Sequence, residues 1–515
     1  MAWNTNLYKI AETTPWGETS IKGSLTADSD TYFADFANHC YIVNGVNAMM
    51  KYNQTNVRTV GITVPAAPTL NETIDGSLTA GDYLFKYTFV DEDGYESNGG
   101  TASATMTAGA NPNDGIKINI AASADAKIAK RRIYRTTVGG SIYYYDGEVA
   151  DNTTLTYSST IADTAITLKS VLHTDHNAPP SAPTLVEKRG SRVNIAVDDD
   201  LYVSKNYDKT TGVRSVEYFP STSYFPTGNG QKITGLIEQL NGLPVFTENS
   251  IERLVGTDED NFEYRTAHQK DGCIAKRSVV NCKNYVVYLA FDGIYIFDGV
   301  SARPIDIGMG GILNKYIRDN INYAYADLSC ATYFNNKYML CIPTGESAVP
   351  NITIYYDFET MSFGVYSFAF SCFSKWDKGG DGLSLKGGSN TIGRIYKVFS
   401  GLDDDGTAIT AYDDIEPLDF GKPEVYKQWY SVFYKIKTTS GTAFKFYYTL
   451  DDGTETSVSK TLTADKTLWY RIGLGEGGIR ARAIKPRPYM SDKFYFEIQG
   501  FAICYNEEPF VEEIE

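Results

Sequence analysis

Basic surface is what this sequence most lacks. Against 63 Asp and Glu it sets only 47 Lys and Arg, for a formal charge of −16. Phosphate binding needs basic surface, so a protein whose whole exterior grips nucleic acid is excluded. A wall past which DNA slides without sticking is not, because acidic surface repels the backbone. Histidine is scarce too, with 4 in 515 residues. His173 and His176 straddle Asp175, but a remaining ligand for a structural zinc site is not evident, and an exposed linker is the simpler reading. His39 precedes a strand-like run and His268 lies in a polar loop, and neither has a Ser or Cys nucleophile partner.

Long apolar runs are missing: nothing approaches the roughly 20 residues of a membrane helix. The start, MAWNTNLYKIAETT, has neither a basic region nor an apolar one, so no secretory signal is expected. Cysteines number 7, an odd count without C-x-x-C spacing, and most adjoin apolar strand residues, as Cys341 adjoins Ile342. Buried free thiols and assembly in a reducing cytosol are expected. Helical periodicity is confined to Gly311–Ile321.

Catalytic patterns are also sparse. A glycosidase pairs two carboxylates, yet there is no Asp-box and no telling arginine arrangement. The chain is therefore expected not to be an enzyme and to carry no catalytic residue, cofactor or metal. Asp91–Asp93, Asp198–Asp200, Asp403–Asp405 and Asp413–Asp414 lack the spacing of a calcium loop and are expected to be solvated turns. Gly473–Gly478 has the glycines of a phosphate loop without its Lys-Ser/Thr, and is expected to be a hairpin tip.

What is abundant is 39 Tyr, 25 Phe and 45 Gly, the composition of a mainly β protein. The clearest stretch is Asn281–Ile305. Strand-like runs Tyr285–Phe291 and Ile294–Phe297 are joined by Asp292-Gly293, and Asp298-Gly299 follows. Asp-Gly between such runs signals a hairpin, since Gly supplies the positive φ of a tight turn. Weaker copies centre on Asn44-Gly45 and near residues 199, 248, 345 and 389. With one insert subtracted, the turns lie about 45–50 residues apart, the repeat of a four-stranded propeller blade. Six copies predict about six blades. Two stacked sandwiches are the alternative. Asn44, Gly45, Asp292, Gly293, Asp298 and Gly299 are the predicted structural turns.

The insert spans 65–181. It begins at Pro65 and Pro68, ends at Pro179 and Pro180, and has short strands separated by turns at roughly 8–12-residue spacing, as a β-sandwich would. Its basic run Lys127–Arg135 has Arg131, Ile133 and Arg135 on one strand face and Arg132 and Tyr134 on the other. No single basic stripe results. Charges of this run, and of Arg480–Arg487, are expected to be solvated edge charges. Residues 1–64 form an N-terminal arm, with Trp3 and Trp16, and the first blade; 182–402 hold the remaining blades. Residues 403–515 predict a second sandwich, with a turn at Asp452-Gly453 and an acidic tail from Glu507.

The insert resembles fibronectin type III-like modules of phage structural proteins in Pro65, Pro68, Tyr83–Val90, Asp93–Ser97 and Arg132–Thr136. The order of parts, with Tyr41–Gly45, Gly190–Asn194, Glu217–Pro220, Val245–Asn249, Gly272–Arg277 and Phe291–Gly299, resembles the tail nozzle and packaged-DNA stabilisation proteins of short-tailed bacteriophages. That resemblance implies a homohexameric structural protein of the virion tail, assembled in the host cytoplasm. It would contact the head-to-tail adaptor and the tail fibre or plug proteins. It would close the channel, retain packaged DNA and conduct it during ejection without sequence-specific binding. Rival readings are a peripheral receptor-binding or fibre-attachment protein and a glycan-cleaving tail enzyme.

Overall fold

In a computed structural model of the 515-residue chain, the described residues are 2–3, 5–11, 17–27, 29–110, 114–207, 215–240, 242–377, 382–451 and 453–508. Trp16, Asp452 and the tail beyond residue 508 lie outside them. By its internal contacts the chain divides into two units, Met1–Tyr396 and Lys397–Glu515.

The architecture is mainly β. In the first unit the paired strands Tyr285–Ala290 and Gly293–Phe297 are apolar almost throughout. Along Tyr285–Ala290, Val286 and Tyr288 join one buried cluster while Val287 and Leu289 join another. Strand side chains alternate between faces, so a strand covered on both faces needs apolar residues at every position. Each fully buried Val, Leu or Ile contributes about 1.5–3 kcal/mol.

The same plan recurs in six successive antiparallel sheets. Sheet I is Tyr32–Phe36, His39–Val43, Met50–Tyr52 and Val57–Thr59. Sheet II is Leu185–Arg189, Arg192–Val197, Asp200–Val203 and Tyr224–Pro226. Sheet III is Gly235–Leu236, Leu243–Phe246, Ser250–Val255 and Glu263–Gln269. Sheet IV is Val280–Cys282, Tyr285–Ala290, Gly293–Phe297 and Ala302–Pro304. Sheet V is Cys330–Phe334, Lys337–Ile342, Ile352–Asp357 and Ser362–Tyr366. Sheet VI is Cys372–Asp377, Leu383–Gly388 and Ile395–Lys397. Within each sheet the strands pair in chain order. Every hairpin copy found in the sequence is the second and third strand of one sheet.

Apolar layers join neighbours: Tyr41 and Val43 with Val193 and Ile195 between I and II, Leu201 with Leu243 and Val245 between II and III, Phe246 with Phe297 between III and IV. Between IV and V the layer also takes Leu313 and Ile317 from the helix Ile312–Asn320. First strands of I and II, II and III, IV and V, and V and VI lie side by side.

The N-terminal segment lies as peripheral strands on sheet I. Ala2–Trp3, Asn6–Ala11 and Gly17–Lys22 form a three-stranded sheet, and Leu7 and Leu25 pack on Ile42 and Met50 of sheet I.

Residues between sheets I and II form three small sheets: Phe85–Asp91 with Ile128–Arg135 and Tyr144–Val149; Gly81–Tyr83 with Met106–Ala108; and Thr69–Ile74 with Gly115–Asn119 and Thr156–Ser159. Phe85, Tyr87, Ile116, Ile118 and Ile133 share one core.

In the second unit, Lys427–Thr438 pairs on one edge with Lys466–Gly473 and Ile479–Ala481 and on the other with Phe496–Glu507. A second sheet runs Asp403–Asp404, Thr407–Tyr412, Ile484–Asp492, Ala443–Leu450 and Thr456–Thr461. Trp429, Tyr434, Phe444, Phe446 and Ile484 lie in their common core.

Three expectations change. Gly473–Gly478 is not a hairpin tip, because the strands before and after it run along the same edge of Lys427–Thr438; it is a long bulge. Arg131 and Arg135 are not solvated edge charges. Their strand is central, and both guanidiniums are buried beside Ile133. Asp91 and Asp93 are not in a solvated turn but in an ion cluster described below.

Candidate functional site

The structural turns were placed first by the sequence, and the structure moves two of them. Ala290 pairs with Gly293, so the two loop residues are Phe291 and Asp292, and Gly293 begins the next strand with φ 129°. A Cβ there would stand 2.4 Å from Asn314 Oδ1 and Cγ. Asn314 acts as a strand edge from the helix: its Oδ1 accepts from the Ile294 N–H at 2.8 Å and its Nδ2 donates to the Ile294 carbonyl at 3.1 Å. Arg318 donates to the Asp292 carbonyl at 2.9 Å, and Phe291 stacks on Tyr323 at 4.8 Å.

Asp298 accepts from the Val300 and Ser301 amides at 2.9 and 2.8 Å, closing a loop that holds Gly299 at φ 102°. Those amides hold its carboxyl below the ordinary range. Asn44 and Gly45 do not form a two-residue turn. They open a loop of residues 44–49, in which Asn44 Oδ1 accepts from the Asn47 amide at 2.8 Å and the Gly45 N–H donates to the Pro183 carbonyl at 2.8 Å. These turns lie in separate loops and make no shared site.

A polar junction forms where first strands of several sheets begin. Arg277, leading into sheet IV, pairs with Asp30, which precedes sheet I, and donates to the Ser371 carbonyl ahead of sheet VI at 3.2 Å. Its guanidinium lies 5.9 Å from the Tyr32 ring centre, and its carbonyl accepts from Ala331 of sheet V at 2.9 Å. Burial opposes the charge, but Asp30 and Tyr32 outweigh it and hold the guanidinium more firmly protonated. One side chain therefore ties three strand entries together.

A second junction fixes the insert. Lys51 of sheet I, 2% exposed, stands 2.8 Å from Glu217, 2.7 Å from Asp93 and 3.4 Å from Asp91. Three carboxylates surround one ammonium, so one proton is readily retained. Complete burial, with Asp91 adding to it against the pull of Lys51, pushes Glu217 up to about 7. Around this core, Lys127 donates to the carbonyls of Thr59 and Gly61 at 2.5 Å, Arg58 meets Glu92 at 3.2 Å, and the Tyr218 hydroxyl accepts from the Glu96 amide at 2.5 Å. The proline-edged insert is thus bolted to the sheets. The sequence did not mark Lys51 or Arg277 as a junction, because each is a single cation whose partners lie far along the chain.

The basic runs are spent internally. Arg131 donates to the carbonyls of Ala121 and Thr154, and Arg135 meets Asp146 and Asp163. Arg132 and Lys130 reach Glu148, and Arg132 also reaches Glu96. In the second unit Arg480 lies 3.7 Å from the Tyr426 ring centre and pairs with Glu508, while Arg487 meets Asp414 and Glu455.

A different cationic surface emerges on the outward face of Lys427–Thr438 and its neighbours. Lys435 pairs across to Trp469 and Gly500, and Phe433 to Arg471 and Ala502. Trp469 is 53% exposed, and its ring reaches over Gly500, where a Cβ would come within 2.9 Å. Lys437 lies 5.8 Å from the Tyr495 ring centre, with Glu497 opposite it on the neighbouring strand, so among the described residues the free cations of this face are Lys435 and Arg471. Cations interleaved with aromatics suit an anionic partner, whether protein or nucleic acid.

An open groove of about 420 Å³ lies on sheet III, lined by Asn229, Gln231, Ser250, Glu252, Thr266 and Lys270 among others. Its amides and hydroxyls largely bond one another, as Asn229 does with Gln231, Thr247 and Ser250.

No protein-family model matches the chain, and no curated protein does. Solved structures that it matches include exo-beta-1,3-galactanase from Phanerochaete chrysosporium with galactose, at 8% identity over 92% of this chain and 97% of that one, TM-score 0.20. YCF48 bound to D1 peptide matches at 10% identity over 73% and 93%, TM-score 0.27. The expectation that the chain is not an enzyme is corrected here. Among the matching structures is an enzyme with its sugar bound, which stands against that expectation. At TM-scores of 0.19–0.20 these likenesses assign no activity in turn.

Proposed function

We propose that this chain is a structural protein of a bacteriophage tail: a subunit of a hexameric nozzle that closes the DNA channel, retains packaged DNA and conducts it during ejection. In this reading sheets I–VI are blades of a six-bladed propeller, 65–181 is a fibronectin type III-like sandwich and 403–515 a second sandwich. The observation that carries it is the order of parts together with the way they are fastened. Six meander sheets follow one another, one module interrupts them after the first, and Lys51 and its carboxylates fix that module rigidly. A tube wall under the pressure of packaged DNA needs modules that do not swing. Arg277 drawing sheets I, IV and VI together supports ring closure.

The net charge of −16 suits a lumen that repels the DNA backbone. The cationic face around Lys435 and Trp469 then serves as a contact for an acidic neighbour: adaptor, fibre, plug or another copy. That face also favours the second reading, a peripheral fibre-attachment or receptor-binding protein. Cryo-electron microscopy of intact virions tests both. Six copies on the tail axis are expected, and peripheral trimers would overturn the nozzle. An electropositive surface lining the channel would overturn the repulsive lumen.

A further inference from the structure

The segment by which the insert returns to sheet II carries two imidazoles and a carboxylate with no task so far. His173, Asp175 and His176 each bring a ligand atom within 4.8 Å of the others. Asp175 Oδ1 stands 4.0 Å from His173 Nδ1 and 4.0 Å from His176 Nε2. That oxygen is buried and has no hydrogen-bond partner. Native structures seldom leave such atoms unpaired without a reason.

The frame around them is firm. The His176 side chain is 10% exposed and lies flat on Tyr218, ring centres 3.9 Å apart and planes 4° apart. Its backbone N–H donates to Asn98 Oδ1 at 2.9 Å. Lys205 pairs with the other oxygen, Asp175 Oδ2, and so aims Oδ1 toward the imidazoles. His173 stacks on His176 at 4.7 Å, yet its side chain is 59% exposed and has room to turn.

We propose that His173, Asp175 and His176 form a three-ligand site for a divalent transition-metal ion of the zinc, nickel or copper type. Two imidazole nitrogens and one carboxylate oxygen are the donors such ions prefer, whereas calcium and magnesium need all-oxygen shells. Bonds of about 2.0–2.1 Å to a tetrahedral ion bring ligand atoms roughly 3.3 Å apart. The 4.0 Å from Asp175 Oδ1 to His173 closes to that when the exposed His173 swings inward, and the 4.0 Å to His176 closes when the half-exposed Asp175 carboxylate turns toward the fixed imidazole. The remaining coordination position opens on the His173 side, to water or to a side chain of a neighbouring molecule. A bound ion would stiffen the return segment of the insert where His176 lies on Tyr218.

The test uses the full-length chain freed of metal with a chelator. Zinc sulfate and nickel chloride are titrated by calorimetry, and melting is followed with and without ion. One equivalent per chain and a rise in Tm that scales with ion concentration are expected. His173→Ala and Asp175→Asn should each weaken binding at least about tenfold; the metal-free Tm should be unchanged in His173→Ala, because His173 is solvent-facing, and slightly lower in Asp175→Asn, which gives up the charge paired with Lys205. Binding that survives both substitutions, an equal response to calcium, or no binding at millimolar zinc would overturn the proposal.

Discussion

Arg277 and Asp30 stand 247 residues apart in sequence and share a salt bridge. The pair couples the entry of sheet IV to that of sheet I, and the same guanidinium reaches the Ser371 carbonyl. Asp30 is 42% exposed, so solvent screens the ion pair itself. Arg277→Ala should cost about 1–3 kcal/mol, mostly through the carbonyl and Tyr32 contacts. Asp30→Asn should cost about 1 kcal/mol or less. A double-mutant cycle read by urea melts should return a coupling of about 1 kcal/mol; a coupling of zero would mean the pair does not tie the sheets.

Gly293 and Gly299 both have positive φ, yet they should respond differently. At Gly293 a side chain meets Asn314 as well as backbone strain; at Gly299 the nearest atom is 3.6 Å away. Gly299→Ala should cost about 1 kcal/mol. Gly293→Val should cost more than about 3 kcal/mol and remove folding and assembly together. Normal ring assembly by Gly293→Val would contradict this.

The Lys51 cluster predicts a pH signature. Folding lifts Glu217 from 4.5 to about 7. The folded state therefore binds more protons than the unfolded one between those values, and this residue's contribution to stability falls as pH rises through that window. Glu217→Gln removes the titration. Relative to wild type, the variant should gain stability steadily from pH 4.5 to 7. Calorimetric melts across that range would show a flat difference if Glu217 did not hold the proton.

The cationic face should matter for association and not for folding. Lys435→Glu and Trp469→Ala alter outward side chains and should shift stability by no more than about 0.5 kcal/mol. On the proposed tail role, incorporation into virions, followed by complementation, should fall steeply. Full incorporation of the double variant would place the partner surface elsewhere.

The sequence revealed the middle of each sheet and missed its borders. Residues 286–290 and 293–297 are buried on both faces and written in apolar residues around a turn glycine, so they could be read directly. Val280–Cys282 and Ala302–Pro304 are three residues each and partly exposed, and nothing in their composition separates them from loops. Alternation correctly grouped Arg131 with Ile133. It could not show that this face points into a core, because the satisfying carbonyls of Ala121 and Thr154 belong to other segments. Lys51 is hidden for the same reason: its partners Asp91 and Glu217 are 40 and 166 residues away.

The seven free thiols divide unevenly. Cys273, Cys282, Cys330 and Cys341 are buried and Cys40 half-buried, whereas Cys372 in the first unit and Cys504 in the second are exposed. The chain therefore carries a natural pair of attachment points, one per unit, for maleimide dyes or spin labels. Each unit can thus be labelled and followed separately on the unaltered protein.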